Sequence, residues 1–149
     1  MENYIVKEDI KLLGKPVPTF PQGITETFDS LARLLPDGLK RNYYGLSHED
    51  GGKIVYFAAA QEKFQGEAET YRCDVAVIEK GEYLVIPLRD WYNHLESIKD
   101  IFHILMQDHR MDQTKPCVEW YRSDDEMWCM VKVNPAFVNG YRAEVQNRK

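Results

Sequence analysis

No stretch of the 149-residue sequence approaches the ~20 consecutive apolar residues of a membrane-spanning helix, and the opening MENYIVKEDIK carries charges where a secretory leader would be apolar. A cytoplasmic protein with no membrane partner is expected. Cysteine is scarce: Cys73, Cys117 and Cys129 are an odd number without CxxC spacing, which argues against a disulfide scaffold or zinc knuckle and leaves them as small buried hydrophobes. His48, His94, His103 and His109 form neither HExxH nor an i, i+4 pair, and no Gly-rich phosphate loop is present, so no metal or other cofactor is expected. Nineteen Lys and Arg against 24 Asp and Glu give a net charge of −5. The basic residues are scattered rather than gathered in a stripe, which argues against direct nucleic-acid binding.

What is there is the composition of an ordinary folded protein. Hydrophobic residues make up 44% and charged residues 29%, and the length suits one domain that buries about two-thirds of its unfolded surface without staples. Residues 1–149 are expected as a single domain with its core over about 3–133. The tail, 134–149, is too mixed to assign.

Along the chain, residues 4–13 read as a strand with a charged centre, and GKPVPTFPQG as a loop. From Thr25, Phe28, Leu31, Ala32 and Leu35 recur at helical spacing until Pro36-Asp37-Gly38 stops them. NYYGL and KIVYFAAA read as a hairpin about His48–Gly52, and strands at 72–79 and 82–88 flank Lys80-Gly81, with Pro87 needing an edge or a strand end. A longer helix is predicted from an Asn93 N-cap to about His109, with the stripe Leu95, Ile98, Ile101, Phe102 and Leu105. Residues 117–123 and 126–133 form a closing hairpin about Asp124-Asp125.

Residues 4–60 and 82–133 thus share the order strand, helix, strand, strand. The fold class that follows is α+β: duplicated βαββ units related by pseudo-two-fold symmetry, with two helices packed on antiparallel sheet. Two small sheets, each backed by one helix, would leave a cleft between the halves.

A two-residue turn in the closing hairpin would set Tyr121 opposite Trp128 and Glu119 opposite Met130, putting all four on one face. A carboxylate among aromatic rings and a methionine suits an organic cation, because ring faces attract positive charge and methionine adapts its shape. A symmetric loop in the first hairpin would pair Tyr44 with Tyr56 as a second aromatic wall, and Trp91 stands at the mouth of the longer helix. The alternative is that Glu119 is a solvent-facing residue on a two-sided sheet and the aromatic rings are core. A one-residue bulge would invert the facings.

In the order and spacing of KLLGKPVPT, YYGLSHEDGGKIVYFAAA, IEKGEYLVIPL and CVEWYRSDDEMWCMVKV, residues 3–133 resemble the GyrI-like family, the effector-binding domain also found fused to AraC-type and MerR-type transcription regulators. The resemblance implies a duplicated βαββ fold of the SHS2 type. Its central cleft would bind bulky, often cationic and aromatic compounds, with Glu119 as a central contact. The sequence departs from the regulator members in that its first residue almost coincides with the first strand and no DNA-binding helices precede it, so a stand-alone member is expected.

Three functions are compatible with these residues. The first is capture of a small organic, cationic ligand by Glu119, Tyr44, Tyr56, Tyr121, Trp128, Met130 and Trp91, in transcription regulation or compound sequestration. The second, which the resemblance also implies, is hydrolysis of strained, cyclopropane-bearing compounds with Glu119 as general base. The third is a protein-interaction or inhibitor module that engages a protein partner through exposed aromatics or the acidic loops Glu49-Asp50 and Asp124-Asp125.

Overall fold

The computed structural model describes residues 1–137. In these residues β-branched and aromatic runs form the strands β1 (Glu2–Val6), β2 (Ile10–Pro16), β3 (Tyr43–Asp50), β4 (Lys53–Gln61), β5 (Asp74–Ile78), β6 (Gly81–Arg89), β7 (Cys117–Tyr121) and β8 (Glu126–Lys132). Three helices accompany them: α1 (Ile24–Leu34), the one-turn α2 (Glu67–Thr70) and α3 (Leu95–Met106). The strands make one antiparallel sheet in the order β1-β6-β8-β7-β3-β4-β2-β5. Each half of that order holds one βαββ unit, β2-α1-β3-β4 or β6-α3-β7-β8. Pairing of β3 with β7, from Tyr43↔Tyr121 to Ser47↔Cys117, fuses the two expected sheets into one.

The stretch read as one strand over residues 4–13 is two strands that serve different halves. β1 pairs with β6, and β5 pairs with β2, so each unit receives its edge strand from the other. These exchanges require the sheet to curl. On a flat sheet six strand steps would hold β1 and β2 about 29 Å apart, whereas Lys7, Glu8 and Asp9 between them span at most about 14 Å. The same applies to β5 and β6, joined through Glu79 and Lys80 alone.

The curl explains why both faces are buried although helices cover only one. On the inner face Val6, Leu12, Tyr44, Leu46, Ile78, Tyr83, Val85, Val118 and Met130 pack against one another from both edges and the centre. On the outer face Leu31 and Leu35 pack with Leu13, Val17, Tyr56 and Ala58, while Phe102 and Leu105 pack with Leu84, Met127, Cys129 and Val131. α1 lies over β4 and α3 over β6 and β8. The β3/β7 seam runs between the two helices.

Several local expectations are corrected. α3 starts at Leu95 after His94, with no side-chain cap; Asn93 belongs to a preceding single turn and donates to Asp90 Oδ1 at 2.9 Å instead. The helix ends at Met106, short of His109, and Leu95 stays half-exposed while Ile98, Ile101, Phe102 and Leu105 face the sheet. Pro87 sits beyond the last β1 pairing, Glu2↔Val85, where β6 has a partner on one side only, as its missing N–H demands. Of the expected tail, Pro135–Phe137 form a single 3-10 turn, and residues 138–149 lie outside the described residues.

Candidate functional site

The first hairpin does not pair Tyr44 with Tyr56. Gly51 and Gly52 both hold positive φ, 59° and 85°, and make a two-residue turn after Asp50↔Lys53, so Tyr44 lies opposite Ala59 and Tyr56 opposite Ser47. The odd shift turns Tyr44 to the inner face and Tyr56 to the outer face. The closing hairpin also differs by one residue from the expectation. The Ser123 hydroxyl accepts from the Asp125 and Glu126 N–H groups, and Arg122 N–H donates to the Glu126 carbonyl, which makes the loop Ser123-Asp124-Asp125. Glu119 then faces Cys129 and Tyr121 faces Met127 across the strands.

Strand alternation keeps Cys117, Glu119 and Tyr121 together on the outer face and sends Val118 and Trp120 inward. Trp128 and Met130 go inward with the latter pair, opposite Trp120 and Val118. Of the residues singled out from sequence, Glu119, Tyr121, Tyr56 and Trp91 are therefore brought together. Tyr44, Trp128 and Met130 are on the opposite face. There Tyr44 stacks on Trp120 at 5.9 Å, and Tyr44 and Met130 line a cleft of about 430 Å³ with Tyr4, Val118 and Trp120. Trp128 already has a cation from its own chain: the Arg122 guanidinium lies 4.0 Å from its ring centre and 4.9 Å from that of Trp120.

The outer-face cluster centres on Glu119, which is 8% exposed on the β3/β7 seam. Its Oε1 accepts the Tyr56 hydroxyl at 2.6 Å and the Tyr121 hydroxyl at 2.5 Å. Its second oxygen accepts no side-chain hydrogen bond, and no ion pair reaches the carboxylate, among the described residues. Tyr56 approaches from β4 across β3, directly over Gly45. A Cβ at Gly45 would fall 2.0 Å from that hydroxyl and 2.7 Å from Oε1, so only glycine leaves the path open.

Rings wall the carboxylate on both sides. Phe20 stacks on Tyr56 with ring centres 5.2 Å apart, Phe28 of α1 meets Tyr121 edge-on at 5.4 Å, and Trp91 meets Tyr121 edge-on at 5.0 Å. The Trp91 indole is anchored by donation to the Ser123 carbonyl at 3.1 Å. Sequence reading missed Gly45, Phe20 and Phe28. The available signal was a glycine inside a strand pattern, which marks close approach of another group, and a phenylalanine on the apolar stripe of α1.

Burial pushes the Glu119 carboxyl above its ordinary value against the opposing pull of the two phenol hydrogen bonds. Burial, and then the adjacent carboxylate, push both phenols well above 10, so they stay neutral donors. The flanking Cys117 thiol is pushed up to about 11, again by burial, and Cys129 moves the same way, which leaves both as protonated packing groups. The site thus offers one desolvated carboxylate, half satisfied by hydrogen bonds, between aromatic walls from both halves. Among the described residues no cluster of His, Cys, Asp or Glu could hold a metal ion, and no helix is long and apolar enough to cross a membrane.

No family model matches the sequence, and no curated protein matches it. Solved structures do. An integron cassette protein from the mobile metagenome of Vibrio cholerae superimposes with a TM-score of 0.63 at 13% identity, covering 89% of this chain and 95% of that one. The protein SAV2435, solved bound to tetraphenylphosphonium, gives 0.59 at 18% identity, covering 89% and 94%. The EcmrR C-terminal domain gives 0.58 at 14% identity, covering 89% and 97%. The superpositions run over nearly the full length of each neighbour, and with its two βαββ units on one curled antiparallel sheet the chain has the GyrI-like fold.

Proposed function

We propose that this chain is a small-molecule binding domain whose ligand is a bulky organic cation with aromatic groups, seated between α1 and α3 on the β3/β7 seam. The observation that carries this reading is Glu119: a carboxylate 8% exposed, with no cationic partner among the described residues and hydrogen bonds to one oxygen only. A buried charge without a counter-ion is costly, and a ligand that brings the missing charge recovers that cost. Tyr56 and Tyr121 hold the carboxylate in place rather than neutralise it. Phe20, Phe28, Trp91 and Tyr121 supply ring faces and edges for the ligand's apolar body. The likeness to a protein solved with tetraphenylphosphonium supports the choice of chemistry.

The test is calorimetric titration with tetraphenylphosphonium and, as a neutral aryl control, triphenylphosphine oxide. The cation is expected to bind with the neutral compound at least about tenfold weaker, and Glu119→Gln is expected to abolish that preference while the protein stays folded. Equal binding of both compounds, or unchanged cation affinity in Glu119→Gln, overturns the reading. A folded Glu119→Gln protein that still discriminates would place the charge recognition elsewhere.

A further inference from the structure

Four charged side chains are buried among the described residues: Arg41, Glu67, Glu119 and Lys132. Arg41 and Glu67 neutralise each other, and Glu119 is held by two phenols. Lys132, 7% exposed at the end of β8, makes neither an ion pair nor a side-chain hydrogen bond among the described residues. Its inward facing follows from β8 alternation, which places it on the inner face with Trp128 and Met130, opposite Tyr83 of β6. Its Cε and Nζ pass 3.2 Å from where a Gly81 Cβ would stand, so the ammonium lies against bare backbone.

Lys132 lines a cavity of about 470 Å³ together with Ile5, Val6, Lys7, Lys80, Gly81 and Glu82. The two exchanged linkers meet here, the Lys80 N–H of the β5–β6 linker donating to Asp9 Oδ1 of the β1–β2 linker at 2.8 Å, and each brings one lysine, Lys7 or Lys80, to the same lining as Lys132. The lining holds three lysines and one carboxylate, Glu82, to which Asn3 donates at 2.8 Å; beside it stands the Asp9 carboxylate that accepts the Lys80 N–H. The nearby Asp112 carboxylate accepts from Thr114, both hydroxyl and N–H, although its own N–H donates to the Lys132 carbonyl at 2.8 Å. Lysine stems can lie along apolar strands with the charge at an opening, but this opening gathers three lysines against one lining carboxylate, with Ile5 and Val6 beside them.

We propose that this cavity is a second ligand site, separate from the Glu119 cluster, and that it takes a small multivalent oxyanion, a phosphate ester or a dicarboxylate, with Lys132 at its base and Lys7 and Lys80 at its rim. The ligand's charge satisfies Lys132, and its two or three oxygens reach the separate ammonium groups as point charges. Because both linkers contribute, occupancy clamps the crossing that holds the two edge strands in place.

The probes are inorganic phosphate and succinate, titrated into the full chain at ionic strength held constant with sodium chloride, with amide NMR and thermal melting as readouts. Saturable movement of the Gly81 and Val133 amide signals, with a rise in Tm, is expected for the wild type. A stronger response to phosphate assigns a phosphate ester, and a stronger response to succinate a dicarboxylate. Lys132→Met, which keeps the stem and removes the charge, should weaken binding at least about tenfold. Should that variant fail to fold, Lys80→Met on the exposed rim provides the same comparison, with a loss of about threefold expected. No saturable change at Gly81 in the wild type, or an unchanged response in the charge-removed variants, overturns the proposal.

Discussion

Tyr56 on β4 donates its hydroxyl to Glu119 on β7, two strands away, at 2.6 Å, and the bare Cα of Gly45 on the intervening β3 is what lets it pass. Gly45→Ala is therefore expected to swing the Tyr56 ring out of its stack on Phe20 and leave Glu119 with Tyr121 alone. Overpacking plus a lost buried hydrogen bond should cost about 2 kcal/mol in urea unfolding. Tetraphenylphosphonium affinity should fall with it. An alanine variant as stable as the wild type would mean that the neighbours absorb the Cβ.

Cation binding should weaken in acid. Glu119 has a folded-state pKa raised above 4.5, mainly by burial, so its protonated form is favoured by folding. The stability it contributes is full below 4.5 and is lost as pH rises through the raised value, the reverse of an ion-paired carboxylate. Affinity for a cation runs the other way, rising as the carboxylate ionises. Glu119→Gln should then be at least as stable as the wild type at pH 7, with cation affinity that no longer varies with pH. Calorimetry and urea melts between pH 5 and 8 read both quantities.

The two faces of the closing hairpin give a positional test. Trp91→Ala removes a ring from the Glu119 cluster and should weaken tetraphenylphosphonium binding by about 1 kcal/mol, roughly fivefold. Trp128→Phe alters the inner face, where Arg122 occupies the ring, and should leave that affinity within about twofold while shifting Tm. The opposite ranking would put the ligand on the inner face.

Arg41 and Glu67 form a two-pronged ion pair with side chains 1% and 0% exposed, and the Lys63 N–H adds a bond to Glu67 at 3.0 Å. Glu67→Gln leaves the guanidinium buried without its counter-charge and should cost about 3 kcal/mol at pH 7. Replacing both partners with apolar residues should cost less than either single change. Hydrogen bonding to Arg41 holds the Glu67 carboxyl below 4.5, so this contribution is present above that pH and lost as pH falls through the lowered value. Wild type and Glu67→Gln should converge in acid urea melts.

Local pattern carried a good deal of this molecule. The stripe of Phe28, Leu31 and Leu35 and that of Ile98, Phe102 and Leu105 specified both main helices, the apolar runs specified the hairpin strands, and their repetition specified two βαββ units. Alternation along CVEWY set Glu119 and Tyr121 on one face whatever their surroundings, because successive side chains of a strand point to opposite sides.

Register and partners were decided by the fold. Whether Trp128 or Met127 stands opposite Tyr121 depends on one extra residue in a turn, and Ser123 settles it through two hydrogen bonds to its own loop that a pattern of hydrophobicity does not encode. Which strand takes β1 depends on three linker residues that could serve a hairpin on the same unit as readily as a crossing to the other one. The crossing wins because it pairs the edge of each half and, by curling the sheet, buries an inner face that no helix covers. The sequence by itself determined the two main helices, the hairpin strands and the sharing of one face by Glu119 and Tyr121; only the closed tertiary structure brought Tyr56 across Gly45 to meet Glu119, because residues 63 to 78 apart in sequence must first be laid side by side.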